Sequence, residues 1–134
     1  MAGTFKIEFV SPERVLISGE ATEVVVPGME GEFTVLPNHA PLISALRPGI
    51  LEIRQASGQR RIYVRGGFAE VDPTQLTILA QNLVDVTTPD AAVIAEEMRA
   101  AEHMRASATD DAGRMLANDA IAALKSLGSA RAAA

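Results

Sequence analysis

Apolar residues between Phe5 and Val86 come in short, largely β-branched runs, separated by turn residues every eight to twelve positions or so. In the first run, Phe5, Ile7 and Phe9 alternate with polar residues, which is the period of a half-buried strand. This pattern is typical of an all-β sandwich or barrel. The further runs that predict strands are Val15–Ile17, Val24–Val26, Phe33–Leu36, Leu42–Leu46, Ile50–Ile53, Ile62–Val64, Phe68–Val71, Leu76–Leu79 and Leu83–Val86.

The breaks between these runs have the chemistry of tight turns. Proline presets φ and glycine accepts positive φ, and the chain places them at Pro27-Gly28, Arg47-Pro48-Gly49, Ser57-Gly58, Gly66-Gly67 and Asp72-Pro73. Links this short leave no room for a crossover helix, which takes about a dozen residues or more. We therefore predict about ten short strands, all antiparallel.

After Thr87 the hydrophobic period changes to that of a helix. Thr88 is the predicted N-cap, Pro89 occupies the first helical position and Asp90 lies beside the positive helix end. The first apolar stripe consists of Ala91, Ile94, Ala95, Met98 and Ala101.

A polar break at residues 107–111 precedes a second helical stripe, and Gly128 is the predicted end of that helix. Two helices with so short a link should form an antiparallel hairpin. The second stripe consists of Ala112, Leu116, Ala120, Ala123, Leu124 and Leu127. The predicted fold is thus α+β: an N-terminal β-sandwich over residues 1–86, then a helical hairpin over residues 87–134 with a frayed tail from Ser129.

Composition excludes several functions. A net charge of −5, a pI near 5.0 and an aromatic content of 4% disfavour binding to nucleic acid, which needs basic patches and stacking side chains. The absence of cysteine excludes disulfides and thiolate chemistry. No apolar segment is long enough to span a bilayer, so we expect any membrane association to occur through partners.

Candidate catalytic or metal-binding groups are few. The two histidines, His39 and His103, fall in different predicted domains and lack partners at metal-ligand spacing. The segment Gly28-Met29-Glu30-Gly31 lacks the Lys-Ser/Thr of a phosphate-binding loop. We predict no catalytic residue, no metal and no cofactor, and hence no enzyme activity; a small-ligand or metal-binding sandwich stays open as an alternative.

The stretch EGEFTVLPNHAPL at positions 30–42, followed by RPG at 47–49, resembles the hallmark segment of the epsilon subunit of F-type ATP synthases. GGFAEV at 66–71 and TILAQ at 77–81 follow in the order of that family. Within the hallmark segment, Gly31, Pro37 and Pro41 match the family, whereas Asn38 stands where glycine is more usual. Asparagine tolerates left-handed backbone, so the turn can keep its shape.

The resemblance implies a non-catalytic central-stalk subunit that docks on the gamma subunit and on the c-subunit ring, peripheral at the cytoplasmic face of the bacterial plasma membrane. By position, Glu32 and His39 match residues that contact the ring in the family. The alternative is that Glu32 only solvates a strand and that His39 caps a turn.

In many relatives the C-terminal hairpin inhibits ATP hydrolysis by pressing basic residues on the catalytic beta subunit. Here the region beyond residue 86 has five basic and seven acidic residues, a net charge of −2, and Glu96–Arg99, Glu102–Arg105, Asp110–Arg114 and Asp111–Arg114 have the spacing of intrahelical ion pairs. We therefore expect weak or absent inhibition and at most transient contact with the alpha and beta subunits.

The family's ATP-binding motif is incomplete in this sequence. Asp90 is present, but Val93 stands where the motif has an arginine, so little ATP affinity is expected. A nucleotide-sensing inhibitor on the same fold remains the alternative.

Overall fold

The computed structural model describes residues 3–12 and 15–133, with the backbone alone from residue 128 onward. Ten strands precede two helices, which confirms the predicted fold class, and the chain divides after Thr87 into two compact units. The elements are β1 Phe5–Val10, β2 Val15–Ala21, β3 Glu23–Gly28, β4 Gly31–Val35, β5 Leu42–Leu46, β6 Gly49–Gln55, β7 Gly58–Val64, β8 Gly67–Asp72, β9 Gln75–Leu79, β10 Leu83–Asp85, α1 Ala91–Ser107 and α2 Asp111–Ala133.

The strands form one hydrogen-bonded path in the order β10-β7-β6-β3-β5-β8-β9-β1-β2, and β4 pairs with β3 beside it. The path turns a corner between β3 and β5, where only Gly28 and Leu46 pair. One layer therefore contains β10, β7, β6, β3 and β4, and the other contains β5, β8, β9, β1 and β2. Gln55 Nε2 donates to Glu20 O at 3.0 Å, which ties the far edge at β2 back to β6.

The core lies between the layers and is filled by alternate residues of each strand. In β1, for example, Phe5, Ile7 and Phe9 are buried, whereas Lys6 is exposed. Aliphatic side chains dominate, as expected from the low aromatic content. The core residues are Phe5, Ile7, Phe9, Ala21, Val24, Val26, Val35, Leu46, Leu51, Ile53, Ile62, Val64, Ala69, Val71, Leu76, Ile78 and Ala80.

One strand pair departs from the predicted antiparallel arrangement. Strand β1 pairs with β9 in parallel, in a register that places Ile7 opposite Leu76 and Phe9 opposite Ile78. The prediction was wrong here because crossover length limits only strands that follow each other closely. Strands β1 and β9 are connected by most of the sandwich itself, so no separate crossover is needed.

The first helix begins two residues later than predicted, at Ala91 rather than at Pro89. Asp90 is its N-cap, with a carboxylate that accepts hydrogen bonds from Ala92 N at 2.9 Å and Val93 N at 3.2 Å. Aspartate is a better N-cap than threonine, so Asp90 takes the role that the sequence pattern gave to Thr88.

The second helix passes through its predicted stop. Asp110 Oδ1 accepts a hydrogen bond from Gly113 N at 2.7 Å at the start, as the polar break predicted, but the helix continues through Gly128 to Ala133. A glycine inside a helix costs only about 1 kcal/mol relative to alanine. The alanines and the arginine after it are strong helix formers, so the predicted stop at Gly128 does not occur in the backbone. The fraying predicted from Ser129 stays a prediction, and Ala134 lies outside the described residues.

The turn between β8 and β9 is closed by Asp72, and this predicts a pH dependence. Thr74 N and Thr74 Oγ1 donate to Asp72 Oδ1 at 2.8 and 3.0 Å, and Gln75 N donates at 2.9 Å. The hydrogen bonds from Thr74, chiefly that from its backbone, hold the pKa of Asp72 below its ordinary value of 3.8. Stabilisation from a depressed carboxyl pKa is present above the unfolded value and is lost as the pH falls through the folded one.

We therefore expect the free energy of unfolding to fall more steeply on acidification for the wild type than for the Asp72→Asn variant, in the range below about pH 5. Urea unfolding at several pH values measures the two slopes. Parallel slopes would show that the Asp72 carboxylate contributes nothing to stability.

Candidate functional site

The hairpin of β3 and β4 ends in a tip that we define as residues 28–32. Its base is bonded to the end of β5, because Met29 N donates to Ala45 O at 2.8 Å and Arg47 N donates to Pro27 O at 3.1 Å. Gly31 has a φ of 144°. Gly28 has no room for a side chain, since a Cβ there would lie 2.6 Å from Gly31 O. The 28–32 tip is thus fixed in shape while its side chains stay exposed.

Glu32 is exposed at this tip, opposite Pro27 in the register of β3 and β4. Met29 is 47% exposed beside it. An anchored turn with one carboxylate and one large apolar side chain at its end suits contact with another protein surface better than it suits catalysis.

His39 lies in the loop of residues 36–41, which is also ordered by hydrogen bonds. Asn38 has a φ of 67°, the left-handed conformation that asparagine was expected to tolerate, and its N–H donates to Pro73 O at 2.9 Å. His39 N donates to Leu36 O at 3.2 Å, and His39 Nδ1 donates to Ala40 O at 2.7 Å. The half-buried ring is therefore fixed, and its Nε2 is the nitrogen left to meet a partner.

The fold does not bring Glu32 and His39 together. Glu32 belongs to the end of the sandwich where Gly28 pairs with Leu46, whereas the loop of His39 is bonded to Pro73 at the other end. The strand from Glu32 to Leu36 alone covers about 13 Å, at roughly 3.3 Å per residue. A site that uses both residues must extend along the length of β4.

The outward side of the second layer has an apolar row that sequence reasoning missed. Ala45 pairs with Phe68, Phe68 with Leu79 and Leu79 with Val10, so these four side chains lie side by side across β5, β8, β9 and β1. We call them the apolar row. Phe68 is 54% exposed and Leu79 is 42% exposed, and Ile43, two residues before Ala45 on the same side of β5, is 72% exposed. Alternation within each run could have indicated this face, but the order of strands could not be read from the sequence.

A cleft of about 400 Å³ opens beside the apolar row. Val10, Phe68 and Leu79 line it together with the Gly66-Gly67 turn and, on its polar side, with Arg65, Gln81 and Asn82. Gly66 and Gly67 both have positive φ, 129° and 125°. The pattern identified Gly66-Gly67 only as a turn; the structure shows that the turn also forms a wall of the cleft.

Two carboxylates lie next to the apolar row on the same outward face. Glu70 is opposite Ile43 and Thr77, and Glu8 is opposite Thr77 and Ser18, so neither has a cation directly across from it. Glu8 Oε1 accepts a hydrogen bond from Gln75 Nε2 at 3.3 Å. The face therefore combines an apolar row, a cleft and two acidic groups.

Residues 3–12 and 15–133 contain no group of three or more histidine, aspartate or glutamate side chains placed to hold a metal ion. His39 and His103 lie in different compact units. Neither helix, over its described length, combines the size and hydropathy that a bilayer-spanning segment needs.

In the hairpin, the predicted intrahelical ion pairs form only in part. Arg114 Nη2 lies 2.5 Å from Asp111 Oδ1, both side chains being well exposed. Asp110 caps α2 instead of pairing with Arg114. Within the described part of the hairpin no ion pair joins Glu96 to Arg99 or Glu102 to Arg105, because these side chains extend into solvent, where pairing contributes little.

Of the two residues of the predicted nucleotide motif, Asp90 has a structural role. The Asp90 carboxylate is committed to the cap of α1, and Val93 is a 36% exposed aliphatic side chain in the first turn. Neither offers a cation to a phosphate group.

Comparison with known proteins gives a consistent family likeness. Residues 4–86 match the family model described as ATP synthase, Delta/Epsilon chain, beta-sandwich domain. A chain of Mesorhizobium japonicum named ATP synthase epsilon chain is 41% identical over 128 residues, which cover 95% of each chain. A chain of the same name from Parvibaculum lavamentivorans is 43% identical over 128 residues, covering 95% of this chain and 97% of the other.

Among solved structures, a chain in the cryo-EM structure of the Euglena gracilis mitochondrial ATP synthase, OSCP/F1/c-ring in rotational state 1, has a similar fold. The TM-score is 0.67 at 23% identity, over 95% of this chain and 81% of that chain. At this identity the likeness concerns the fold alone.

Proposed function

This chain belongs to the ATP synthase epsilon chain family, and from that premise we propose that it is a central-stalk subunit that couples the gamma subunit to the c ring during proton-driven ATP synthesis. The observation that carries the proposal is the match to epsilon chains over 95% of the length of both chains, which spans the sandwich and the helices alike. The function is mechanical rather than catalytic. A rigid, hydrogen-bonded sandwich with exposed docking surfaces suits such a role.

The proposed partners are gamma and the c ring, with at most transient contact between the hairpin and the alpha and beta subunits. The solved structure of similar fold from Euglena gracilis is an assembly that contains F1 and a c ring. We place the chain as a peripheral subunit at the cytoplasmic face of the bacterial plasma membrane, held there by these partners.

For contact with the ring we propose the 28–32 tip, with Glu32 as its charged residue. The tip is exposed, and its backbone is anchored to β5 through the hydrogen bonds of Met29 to Ala45 and of Pro27 to Arg47, so it can transmit torque without bending. His39 was predicted beside Glu32 as a second ring contact. Because it lies at the other end of β4, it can serve there only if the ring-contact surface extends along that strand.

For the hairpin we propose weak or absent inhibition of ATP hydrolysis. The support is its net charge of −2, which opposes docking on an acidic segment. Neutralisation of the hairpin's arginines by neighbouring acidic residues supports the proposal less than the sequence spacing suggested. Arg114 pairs with Asp111, but Arg99 and Arg105 do not form the predicted pairs.

The test uses inverted membrane vesicles from cells that lack the chain, and from the same cells supplied with the full chain or with residues 1–87. We expect both versions to restore ATP-driven proton pumping, because the coupling surfaces lie in the sandwich. We also expect equal rates of ATP hydrolysis with the two versions, because the proposed hairpin does not inhibit hydrolysis.

Each claim can fail separately. Vesicles without the chain that pump as well as those with it would refute coupling. A clear rise in ATP hydrolysis on removal of the hairpin would instead establish the inhibitor alternative and leave coupling intact.

A further inference from the structure

The segment Arg47-Pro48-Gly49 follows the hallmark stretch in sequence, and the fold places it against the hairpin that carries the 28–32 tip. Arg47 N donates to Pro27 O at 3.1 Å. Gly49 is buried, and a Cβ there would lie 2.8 Å from Pro27 Cβ and 3.2 Å from Pro27 Cγ. Both ends of the segment therefore lie against Pro27, which is directly opposite Glu32 in the register of β3 and β4.

Pro27 explains why the segment lies there. The edge of β3 that faces β5 and β6 is paired on either side of this residue, since Gly28 pairs with the end of β5 and residues 23–25 pair with residues 52–54 of β6. Proline has no N–H, so Pro27 can donate to neither strand. The chain leaves β5 at this gap and enters β6 at Gly49, which brings the backbone of residue 49 close to the proline ring.

A side chain at residue 49 would have no room to move. Gly49 pairs with Val64 in the register of β6 and β7, so its backbone is fixed on the edge away from β3. The Pro27 ring is bonded to its own backbone nitrogen, so it cannot rotate away as a flexible side chain would. Added volume at residue 49 must therefore move the backbone of β3 at Pro27. Gly49 does not have positive φ, so this close approach alone requires glycine.

Glu32 follows any movement of Pro27. Directly opposed residues of an antiparallel pair have Cβ atoms about 4.5–5.5 Å apart, so the stem of Glu32 lies next to the Pro27 ring. A Cβ at residue 49 would be closer to Pro27 Cβ by about 0.7 Å than the usual carbon–carbon separation of about 3.5 Å. A binding group has to lie within about 0.5 Å of its productive position. The displacement is thus large enough to affect a contact made by the Glu32 carboxylate.

We propose that Gly49 and Pro27 are positioning residues for the ring contact, because their close approach sets the place of the Glu32 carboxylate at the 28–32 tip. The inference rests on the proposed function, which assigns Glu32 to the c ring. It gives the Arg47-Pro48-Gly49 segment a role in coupling without any contact of its own with the ring.

The experiment measures the Kd of the full chain for a purified c ring held in lipid nanodiscs. Because the chain has no cysteine, one introduced at the exposed Ser57, in the turn between β6 and β7, takes a single fluorescent label. We expect Gly49→Ala and Glu32→Gln each to raise the Kd about fivefold, and the double variant to raise it by about the same factor, since Gly49 acts through Glu32. Independent effects would multiply to about 25-fold. Gly49→Ala should also weaken the dependence of the Kd on salt, as Glu32→Gln does.

A second variant tests the same contact without adding volume. Pro27→Ala removes the rigid ring, so it should raise the Kd about threefold, and this effect should also disappear beside Glu32→Gln. It keeps the result informative where Gly49→Ala lowers the yield of folded chain.

Two controls separate positioning from loss of stability. Gly19→Ala adds the same methyl group in β2, where the nearest atom is Gln55 Nε2, the end of a flexible side chain, at 3.4 Å. Ile78→Val removes a methyl group from the core at β9 and lowers stability away from the tip. Both should bind the ring within about twofold of the wild type. Thermal unfolding of every variant ranks their stabilities.

The outcomes are distinguishable. Wild-type chain that does not bind the ring, or Glu32→Gln that binds as well as the wild type, contradicts the proposed ring contact itself. Unchanged binding by both Gly49→Ala and Pro27→Ala overturns only the positioning role. A loss from Gly49→Ala that persists undiminished beside Glu32→Gln also overturns it, because the loss would then arise elsewhere. An equal loss in Ile78→Val would make stability the cause and refute the inference.

Discussion

Replacing Gly67 by alanine is expected to destabilise the sandwich severely. Gly67 has a φ of 125°, and a Cβ at this position would lie 2.1 Å from Leu79 O and 3.2 Å from the Cα of Ala80. Leu79 is paired within β9, and Ala80 N donates to Val10 O at 3.0 Å, so neither backbone atom moves aside easily. Backbone strain of about 1–3 kcal/mol and a steric clash of about 1–3 kcal/mol add up to a large part of the stability of a small domain.

Urea unfolding of the isolated chain measures this effect, and Gly31→Ala is the matched control. Gly31 also has positive φ, 144°, but nothing lies within 4 Å of the Cβ that alanine would add. Gly31→Ala should therefore show the backbone strain alone. Equal losses in the two variants would show that the approach of Gly67 to β9 contributes nothing.

Phe9→Ala is expected to have the second large effect. Phe9 is fully buried in β1, opposite Ile17 on one side and Ile78 on the other. Truncation of a buried phenylalanine removes its transfer free energy and leaves a cavity, which together amount to about 3–5 kcal/mol. The free energy of unfolding in urea should fall by that amount.

Phe68→Ala is the internal comparison for Phe9→Ala. It removes the same atoms from the same sandwich, but from a side chain that is 54% exposed, so the loss should be about 1 kcal/mol or less. A loss as large as that of Phe9→Ala would mean that Phe68 supports the fold, and the apolar row would then need no partner to explain it.

Local sequence features predicted the secondary structure well, because strand and helix periods are written into neighbouring residues. The alternation of Phe5, Ile7 and Phe9 identified β1, and the turn residues at Asp72-Pro73 identified the β8–β9 hairpin. Helix ends were less certain. Thr88 and Asp90 are both residues that can cap a helix, and the structure has Asp90 in that position. The single glycine at position 128 does not end α2, because the alanines around it have high helix propensity.

The arrangement in space could not be predicted in the same way, since it depends on contacts between residues far apart along the chain. Glu32 and His39 are seven positions apart in one motif, yet the fold places them at opposite ends of β4. The apolar row exists only because β5, β8, β9 and β1 are neighbours. No local pattern contains that order.

The parallel pairing of β1 with β9 also has a consequence for how the chain is made. Strand β2 follows β1 closely, so their hairpin can form early, but the other edge of β1 has no partner until Gln75–Leu79 has been synthesised. At about 5–20 residues per second, that edge stays open on the ribosome for several seconds. Unpaired strand edges recruit other strands, so a translational pause before Leu79 lengthens the period in which the nascent chain is most prone to aggregate.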